Sequence, residues 1–550
     1  MNRLKIYITA AFFTAAIASC KKELDVKNPN SPTVDNATSE SGIVSFAQGG
    51  VYEDGFRTLK YGDGIYGLFY SGAVGFHEMM GDVIGAEAAN GYINQIGCPD
   101  YVILDNGNKV NNPSSPAKQH DLLRAINQNS NQGQNTTYYE WAYMYQLNNV
   151  CNNILDLIPK ATLSGDVASK KATLTAWAYW WKGFAYARIG SIYYAGLINN
   201  TTGATNGNYV TKEAIIAESN ANLDKAAAAL SSVTNAGEYT ALLTKLIPDF
   251  TQVGNGGVLT IDAWKRNINT LKARNLLVNT PVATMTQAQW TSILTLATAG
   301  IQQGDKVFTL RSNATNDLLD ALSGSVAAKT TATAAGGNTY KLSERFVQDF
   351  KAGDKRLANV KQTVTWLGNA DRGNSFNTRY TLVDAGVTAN AFPAGVIQFT
   401  NRTTGGYELF LAGSFEENEL MKAEANIYLN NLPLALASID KVRTTEGAGL
   451  TAVTGTTTDA TVVKEELRKE RRIGLAFRGL SFYDARRWGV INDVTAGGGR
   501  TKAVVISNSN VVSTNATINY NFLDYWDVPD NELAYNPASA TSSPVKNPKP

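Results

Sequence analysis

Few residues in this chain have the types and spacing that covalent or metal chemistry needs. Only two of the 550 residues are histidine, His77 and His120, so a three-histidine metal site is ruled out. His77-Glu78 lacks the second histidine of a zinc-protease helix. Neither a G-x-S-x-G nucleophile elbow nor a G-x-x-x-x-G-K-[ST] phosphate loop occurs. Gly62, Gly64 and Gly67 satisfy G-x-G-x-x-G, but no buried strand precedes them and no parallel β-α-β unit follows, so the match is chance. Acid/base hydrolysis of a glycosidic bond needs only two carboxylates, and 47 acidic residues leave that class open. The sequence calls for no cofactor and no metal.

What the composition does offer is aromatic surface. There are 25 Tyr and 9 Trp, large amphipathic rings that serve a core or a sugar-stacking platform equally well, and most of them are expected in the core. With 49 basic against 47 acidic residues the formal charge is +2, which is no electrostatic footprint for nucleic acid. Of three cysteines, Cys98 and Cys151 are the two that could form a bridge; they do not make a disulfide framework.

The N-terminus sets the compartment. Arg3 and Lys5 precede the apolar run Ile6 to Ala18, about a dozen residues, which suits a signal-peptide core and is too short to span a bilayer. Ile17-Ala18-Ser19-Cys20 then places small residues before a cysteine, the pattern of a bacterial lipoprotein processing site. Residues 1–19 are therefore expected to be a signal peptide. Residues 20–40, polar and punctuated by Pro29 and Pro32, are expected to be a tether. No later stretch is apolar enough to cross a membrane. Residues 41–550 form one body, long enough for a large helical assembly.

Apolar residues at helical spacing locate the main elements. Helices are expected over Tyr138 to Ile158 and over Lys170 to Tyr194, where Trp177, Trp181, Phe184, Arg188 and Ile192 form one stripe and Ala176, Gly183 and Ala187 let a neighbour approach. Asn222 to Val233 reads as a short partner, and Ile261 to Val278 with Gln287 to Gln302 as a further pair. Phe415 to Val442 reads as helix, turn at Asn430-Asn431, helix, with small residues at the crossing, which looks like a tetratricopeptide unit. Pro433 suits the first turn of the second helix. Long Gly-, Ser-, Thr- and Asn-rich stretches (201–209, 323–338, 369–393, 451–460) separate the helices. The fold class is mainly α: tetratricopeptide-like repeats in a superhelical scaffold, with long irregular loops and a few short strands.

Glu465 to Gly489 (EELRKERRIGLAFRGLSFYDARRWG) closely resembles the C-terminal signature of the SusD/RagB family. The matching residues are Glu470-Arg471-Arg472, Phe477-Arg478-Gly479, Phe482-Tyr483-Asp484 and Arg486-Arg487-Trp488-Gly489. Gly474 stands where an acidic residue is more usual, and Ala485 where Leu is common. Leu420-Met421-Lys422-Ala423-Glu424-Ala425, Val442-Arg443, Gly353-Asp354-Lys355-Arg356-Leu357 and the tail from Tyr525 to Pro537 match further family stretches in order, with about 410–550 as the signature region; about Tyr239 to Tyr340 matches only loosely. The charges of the signature helix alternate in sign, and Glu465 to Lys469 has the favourable i,i+4 order, so this segment reads as architecture rather than a ligand or nucleic-acid face.

The resemblance implies a surface lipoprotein of the outer membrane, lipid-anchored at Cys20. Such a protein captures a glycan, most simply an oligosaccharide, and passes it to a SusC-like TonB-dependent transporter without catalysis. Alternatives are a peptide-capturing member of the same family or an envelope helical-repeat adaptor. The resemblance also places the ligand in loops after the first helix. There Tyr66, His77, Asp82, Glu87, Asn90, Tyr92 and Tyr101 are the candidate contacts, among glycines that permit close backbone approach.

Overall fold

The structure, a computed structural model, describes residues 37–52, 75–87, 94–134, 137–203, 206–310, 327, 330–331, 340–369, 373–387, 389–401 and 409–549. Cys20 with residues 20–36 of the expected tether, the segment with Tyr66, and Asn90 with Tyr92 lie outside the described residues.

Helices dominate. In chain order they are α1 (Glu40–Gln48), α2 (Gly75–Met80), α3 (Gln119–Ile126), α4 (Tyr138–Leu157), α5 (Val167–Ile192), α6 (Lys212–Ser231), α7 (Ala236–Leu246), α8 (Ile261–Val278), α9 (Gln287–Thr298), α10 (Glu344–Gln348), α11 (Phe415–Tyr428), α12 (Leu432–Thr445), α13 (Ala460–Gly474), α14 (Ser481–Arg487) and α15 (Asp530–Tyr535). Neighbours pack in series: α4 on α5, α5 on α6, α6 on α8, α8 on α9, α9 on α11, α11 on α12, and both of these on α13. This is the tetratricopeptide-like array expected, and it answers a simple need. Each hairpin has an apolar face that it cannot bury alone, so stacking supplies the core.

The central element is α5. Asp166 caps it, its carboxylate accepting from Ser169 N at 3.1 Å. The sequence showed one apolar stripe; the structure buries nearly every face, with Trp177, Trp180 and Trp181 all fully enclosed. A helix apolar all round belongs inside a core, and α5 packs against α4, α6, α7 and α8. Phe308 lies 4.3 Å from Trp180 and 5.2 Å from Trp264 between ring centroids. Gly183 is required: a Cβ there would stand 2.7 Å from Leu223 of α6.

Helix α6 is longer than expected. It starts at Lys212, where Thr211 accepts from Ala214 N, and its buried stripe runs Ile215, Ser219, Asn222, Leu223, Ala226, Leu230. Ser219 and Asn222 masked the period because they are polar. Ser219 Oγ donates to Gly183 O at 2.7 Å, which satisfies it in the core.

The α11–α12 hairpin turns where expected. Asn430 takes the left-handed conformation at φ 61°, Pro433 lies in the first turn of α12, and Ala425 and Ala435 are fully buried. With Trp290, Leu277, Ala273 and Met421, Ala425 belongs to a second small core between α8, α9 and α11.

Strands are short: β1 (Ile84–Ala86), β2 (Tyr101–Ile103), β3 (Lys109–Asn111), β4 (Ala195–Gly196), β5 (Val210–Thr211), β6 (Thr309–Leu310), β7 (Tyr340–Leu342), β8 (Val360–Trp366), β9 (Thr378–Leu382), β10 (Leu409–Phe410), β11 (Arg500–Ile506) and β12 (Val512–Asn519). A four-stranded sheet in the order β11-β12-β2-β3 joins the two ends of the body. The antiparallel pair β1–β7 sets Gly85 opposite Lys341, and β8 pairs with β9. Cys98 and Cys151 are both buried and no disulfide joins them; burial pushes the Cys151 thiol up to about 12.

Candidate ligand-binding site

The signature region turns its charge inward. Arg356 is fully buried and donates to Asp354 at 2.8 Å, Glu446 at 2.6 Å and Glu470 at 2.6 Å. Arg443 Nε donates to the second oxygen of Glu470 at 2.8 Å. Arg487 grips Glu424 through two bonds of 2.6 Å and Asp484 through Nε at 2.8 Å, and Asp484 also accepts from Arg471 Nε at 2.8 Å. Bidentate guanidinium pairs of this kind are the geometry that tolerates burial. Burial pushes the Glu446 carboxyl up to about 8, opposed by Arg356 and reinforced by the nearby Glu470 charge. Burial likewise pushes Glu78 up to about 7, although its Oε1 accepts from Gly479 N at 2.7 Å. This region ties helices together, as expected of architecture.

Of the candidate contacts, Tyr66, Asn90 and Tyr92 lie outside the described residues. His77 is fully buried on α2, its Nε2 3.3 Å from Glu140 Oε2 and its ring 4.7 Å from that of Tyr483. Burial lowers its pKa, so the imidazole is neutral, and it offers no surface to a ligand. Asp82 ends the turn after α2 at φ 59°. Burial alone would raise its carboxyl, but Arg345 holds it well below the usual range. Arg345 Nη2 donates to it at 2.8 Å, Ser343 Oγ at 2.8 Å and Tyr520 OH at 2.7 Å. Its bonding capacity is spent on holding α10 and the tail. Tyr101 is half-buried on β2 with Lys109 Nζ 3.8 Å from its ring centroid, part of the four-stranded sheet.

Glu87 is placed differently. It follows β1, at the rim of the β1–β7 pair, and its Oε1 accepts from Asn369 Nδ2 at 3.1 Å. Lys341 of β7 extends its ammonium to 4.5 Å from the Trp366 ring centroid. Burial lowers Lys341 to about 8, partly offset by Glu87. Trp366, half-buried at the end of β8, meets Phe376 edge-on at 5.2 Å. Phe376 lies against Gly85, where a Cβ would stand 2.2 Å from its ring, so the missing side chain leaves room for the ring beside the strand. Behind this rim lies a small polar cavity lined by Asp82, Asn94, Lys341, Arg345 and Ser375 among others.

The rim thus joins an aromatic surface to a carboxylate, a carboxamide and an ammonium. Rings stack on the apolar face of a sugar, and the polar groups bond its hydroxyls. A second cleft of about 690 Å³ is wider, between α11, α14 and the tail, and its rings too carry cations. Tyr428 stacks on Trp290 at 4.4 Å and carries Lys464 at 4.6 Å; Tyr525 carries Arg486 at 4.0 Å and Lys212 at 4.8 Å. Lys341, Trp366 and Asn369 went unread in the sequence because they are remote from Glu87 along the chain. The one signal was Trp366 closing a strand-like run before a loop. Among the described residues no cluster of three His, Cys, Asp or Glu could hold a metal ion, and no helix is long and apolar enough to cross a membrane.

Comparisons with known proteins agree with this architecture. Residues 419–540 match the model of the SusD family. No curated protein matches the chain. Among solved structures, a SusD-like carbohydrate-binding protein from Bacteroides vulgatus superposes with a TM-score of 0.57 at 13% identity, covering 92% of this chain and 98% of its own. A SusD superfamily protein from Parabacteroides distasonis gives 0.54 at 13%, covering 91% and 97%. A structure determined with a xylogluco-oligosaccharide gives 0.52 at 13%, covering 92% and 99%. At these identities the superpositions establish the fold, and the matched C-terminal region carries the signature whose arginines and carboxylates are described above. Over residues 419–540 the chain matches the SusD family, and its fold is shared with SusD-like proteins.

Proposed function

We propose that this protein captures an oligosaccharide at the cell surface, holds it at the rim formed by Glu87, Lys341, Trp366 and Asn369, and passes it to a TonB-dependent outer-membrane transporter. Proteins of this family bind without catalysing a reaction, and the rim is built for that task. Its carboxylate is hydrogen-bonded to an amide, and its other nearby acid, Asp82, is locked by Arg345. The observation that carries the reading is the half-exposed Trp366 set among polar groups, on a fold shared with a structure solved with a xylogluco-oligosaccharide. Anchoring at Cys20 rests on the lipoprotein pattern of the first twenty residues, and the outer-membrane location on the likeness to the SusD family.

The test is calorimetric titration of the full chain, in neutral detergent, with a panel of neutral oligosaccharides and peptides, followed by chromatography of the ligand. Saturable binding of at least one oligosaccharide, recovered intact, supports the proposal. Binding of peptides alone moves the chain to peptide capture, and sustained cleavage by clean protein removes the capture reading.

A further inference from the structure

A second built feature shares Arg345 with the cavity behind the rim but opens between other elements. Helices α10 and α13 and strand β11 enclose a cleft of about 450 Å³. Four guanidinium groups converge on it or lie beneath it. Arg345 is committed to Asp82 through Nε at 3.0 Å and Nη2 at 2.8 Å. Arg468 grips Glu465 at 2.7 and 2.8 Å and reaches Asp349 at 2.6 Å. Buried Arg472 shares that same Asp349 at 2.6 Å and otherwise donates to the carbonyls of Gly81 and Asp82. Arg500 comes no nearer than 3.5 Å to Asp82, which Arg345 already holds.

Two ammonium groups complete the set. Lys469 finds only Glu465, at 3.7 Å, and Lys502 is exposed with no side-chain hydrogen bond or ion pair among the described residues. Six cations therefore face three carboxylates. The local excess exceeds the +2 of the whole chain. Its effect is visible at Arg472, whose pKa is lowered by burial and then by the Arg500 charge.

The backbone is also shaped here. Arg500 pairs with Ile518 and Ala503 with Ala516, so β11 carries one extra residue, a bulge. Lys502 sits in it at φ 53°, in the left-handed region where a lysine is strained and a glycine is not. Gln348 pins the bulge from α10, its Nε2 donating to Lys502 O at 2.7 Å and its Oε1 accepting from Val504 N at 3.0 Å. A strained cation, fixed by a side-chain amide, thus lines a cleft already rich in positive charge. Such strain persists where the surroundings impose it.

We propose that this cleft binds an oxyanion, the phosphate or sulfate group of a larger ligand. Lys502 and Lys469 supply the free donors. Arg500 and Arg468 supply the charge behind them, already oriented by Tyr520, which accepts from Arg500 Nε at 3.1 Å, and by Glu465, so little rotamer freedom is lost on binding. Its free donors, Lys469 and Lys502, are not part of the saccharide rim, so the site stands whether or not that assignment holds.

The test is calorimetric titration of the full chain in neutral detergent at low ionic strength with sodium phosphate, sodium sulfate and, as the ionic-strength control, sodium chloride. Phosphate and sulfate are expected to bind saturably and chloride not to. Lys502→Gly combined with Lys469→Gln should weaken phosphate by about tenfold or more. Lys502→Gly alone should melt no lower than the parent, since glycine relieves the bulge, so the loss cannot be ascribed to unfolding. Displacement of phosphate by glucose sulfate points to a soluble anionic ligand. Displacement by phosphatidic acid vesicles, and not by phosphatidylcholine vesicles, points to a lipid headgroup, and either outcome supports the site. Chloride binding as well as phosphate, unchanged phosphate affinity in the double variant, or displacement by neither carrier overturns it.

Discussion

Replacing Glu446 by Gln should make the protein less sensitive to rising pH, and the reason can be worked from the buried network. Glu446 is enclosed, shares Arg356 with Glu470 and Asp354, and has its carboxyl pushed up to about 8 from an ordinary 4.5. Between those two values the unfolded chain has released this proton and the folded chain still holds it. Stability contributed at this site is therefore fully present below pH 4.5 and falls as pH rises to about 8, at a slope of ~1.4 kcal/mol per pH unit for one proton. The substituted carboxamide would keep an oxygen to accept from Arg356 Nη1 and carries no charge to desolvate. The substitution should therefore remove most of one proton's slope and leave the variant at least as stable as the parent at pH 8. Urea denaturation at pH 5, 6.5 and 8, on parent and variant, measures this directly. Equal slopes in the two proteins, or a variant several kcal/mol less stable at pH 8, would refute the reasoning and mean that Glu446 is ionised and bonded strongly enough to outweigh its burial.

Three further outcomes are expected. Ala425→Leu, which crowds Trp290, Leu277 and Met421 in the small core between α8, α9 and α11, should cost ~1–3 kcal/mol in a denaturant melt, while Thr456→Ala in the exposed loop should be nearly silent. Arg487→Met leaves Glu424 and Asp484 buried with less positive charge to face and should cost ~3–5 kcal/mol in the same assay. Cys20→Ala should release the protein from membranes in fractionation at high salt; a variant that pellets as firmly as the parent would contradict lipid anchoring.

How far the sequence led depended on whether the information was local. The α11–α12 hairpin was legible because everything that makes it is nearby: apolar spacing, small residues at the crossing, Asn430 at the turn and Pro433 in the first turn of the next helix. The inward role of the signature arginines was legible from alternating charge, but their partners were not. Arg356, Glu446 and Glu470 meet only after three separate segments pack. The four-stranded sheet was invisible for the same reason, since β2 pairs with β12 across most of the chain. The α6 start was hidden by Ser219 and Asn222, polar residues whose core placement depends on acceptors such as Gly183 O in α5. At the candidate site, His77 and Asp82 had the chemistry of ligand contacts but were drawn into internal pairs with Glu140 and Arg345. Nothing in their local sequence distinguishes them from Glu87, which stays at the rim. The residues that complete that rim come from β7 and from the end of β8 with the residues after it: the β1–β7 pairing brings Lys341 beside Glu87, and Asn369 reaches it by a hydrogen bond.

The central claim, a saccharide held at the β1–β7 rim, is tested most directly by Trp366→Ala in the full chain. Trp366 contacts the rim through Lys341 and Phe376 and is half-exposed, so its loss should leave the fold standing. A stacking ring is worth ~0.5–1.5 kcal/mol beyond its buried area, and an aromatic anchor with that area ~2 kcal/mol or more. Calorimetry with the best oligosaccharide from the panel should show affinity falling at least about tenfold, with an unchanged melting temperature. Unchanged affinity in a folded Trp366→Ala variant would contradict the account and move the ligand elsewhere on the molecule.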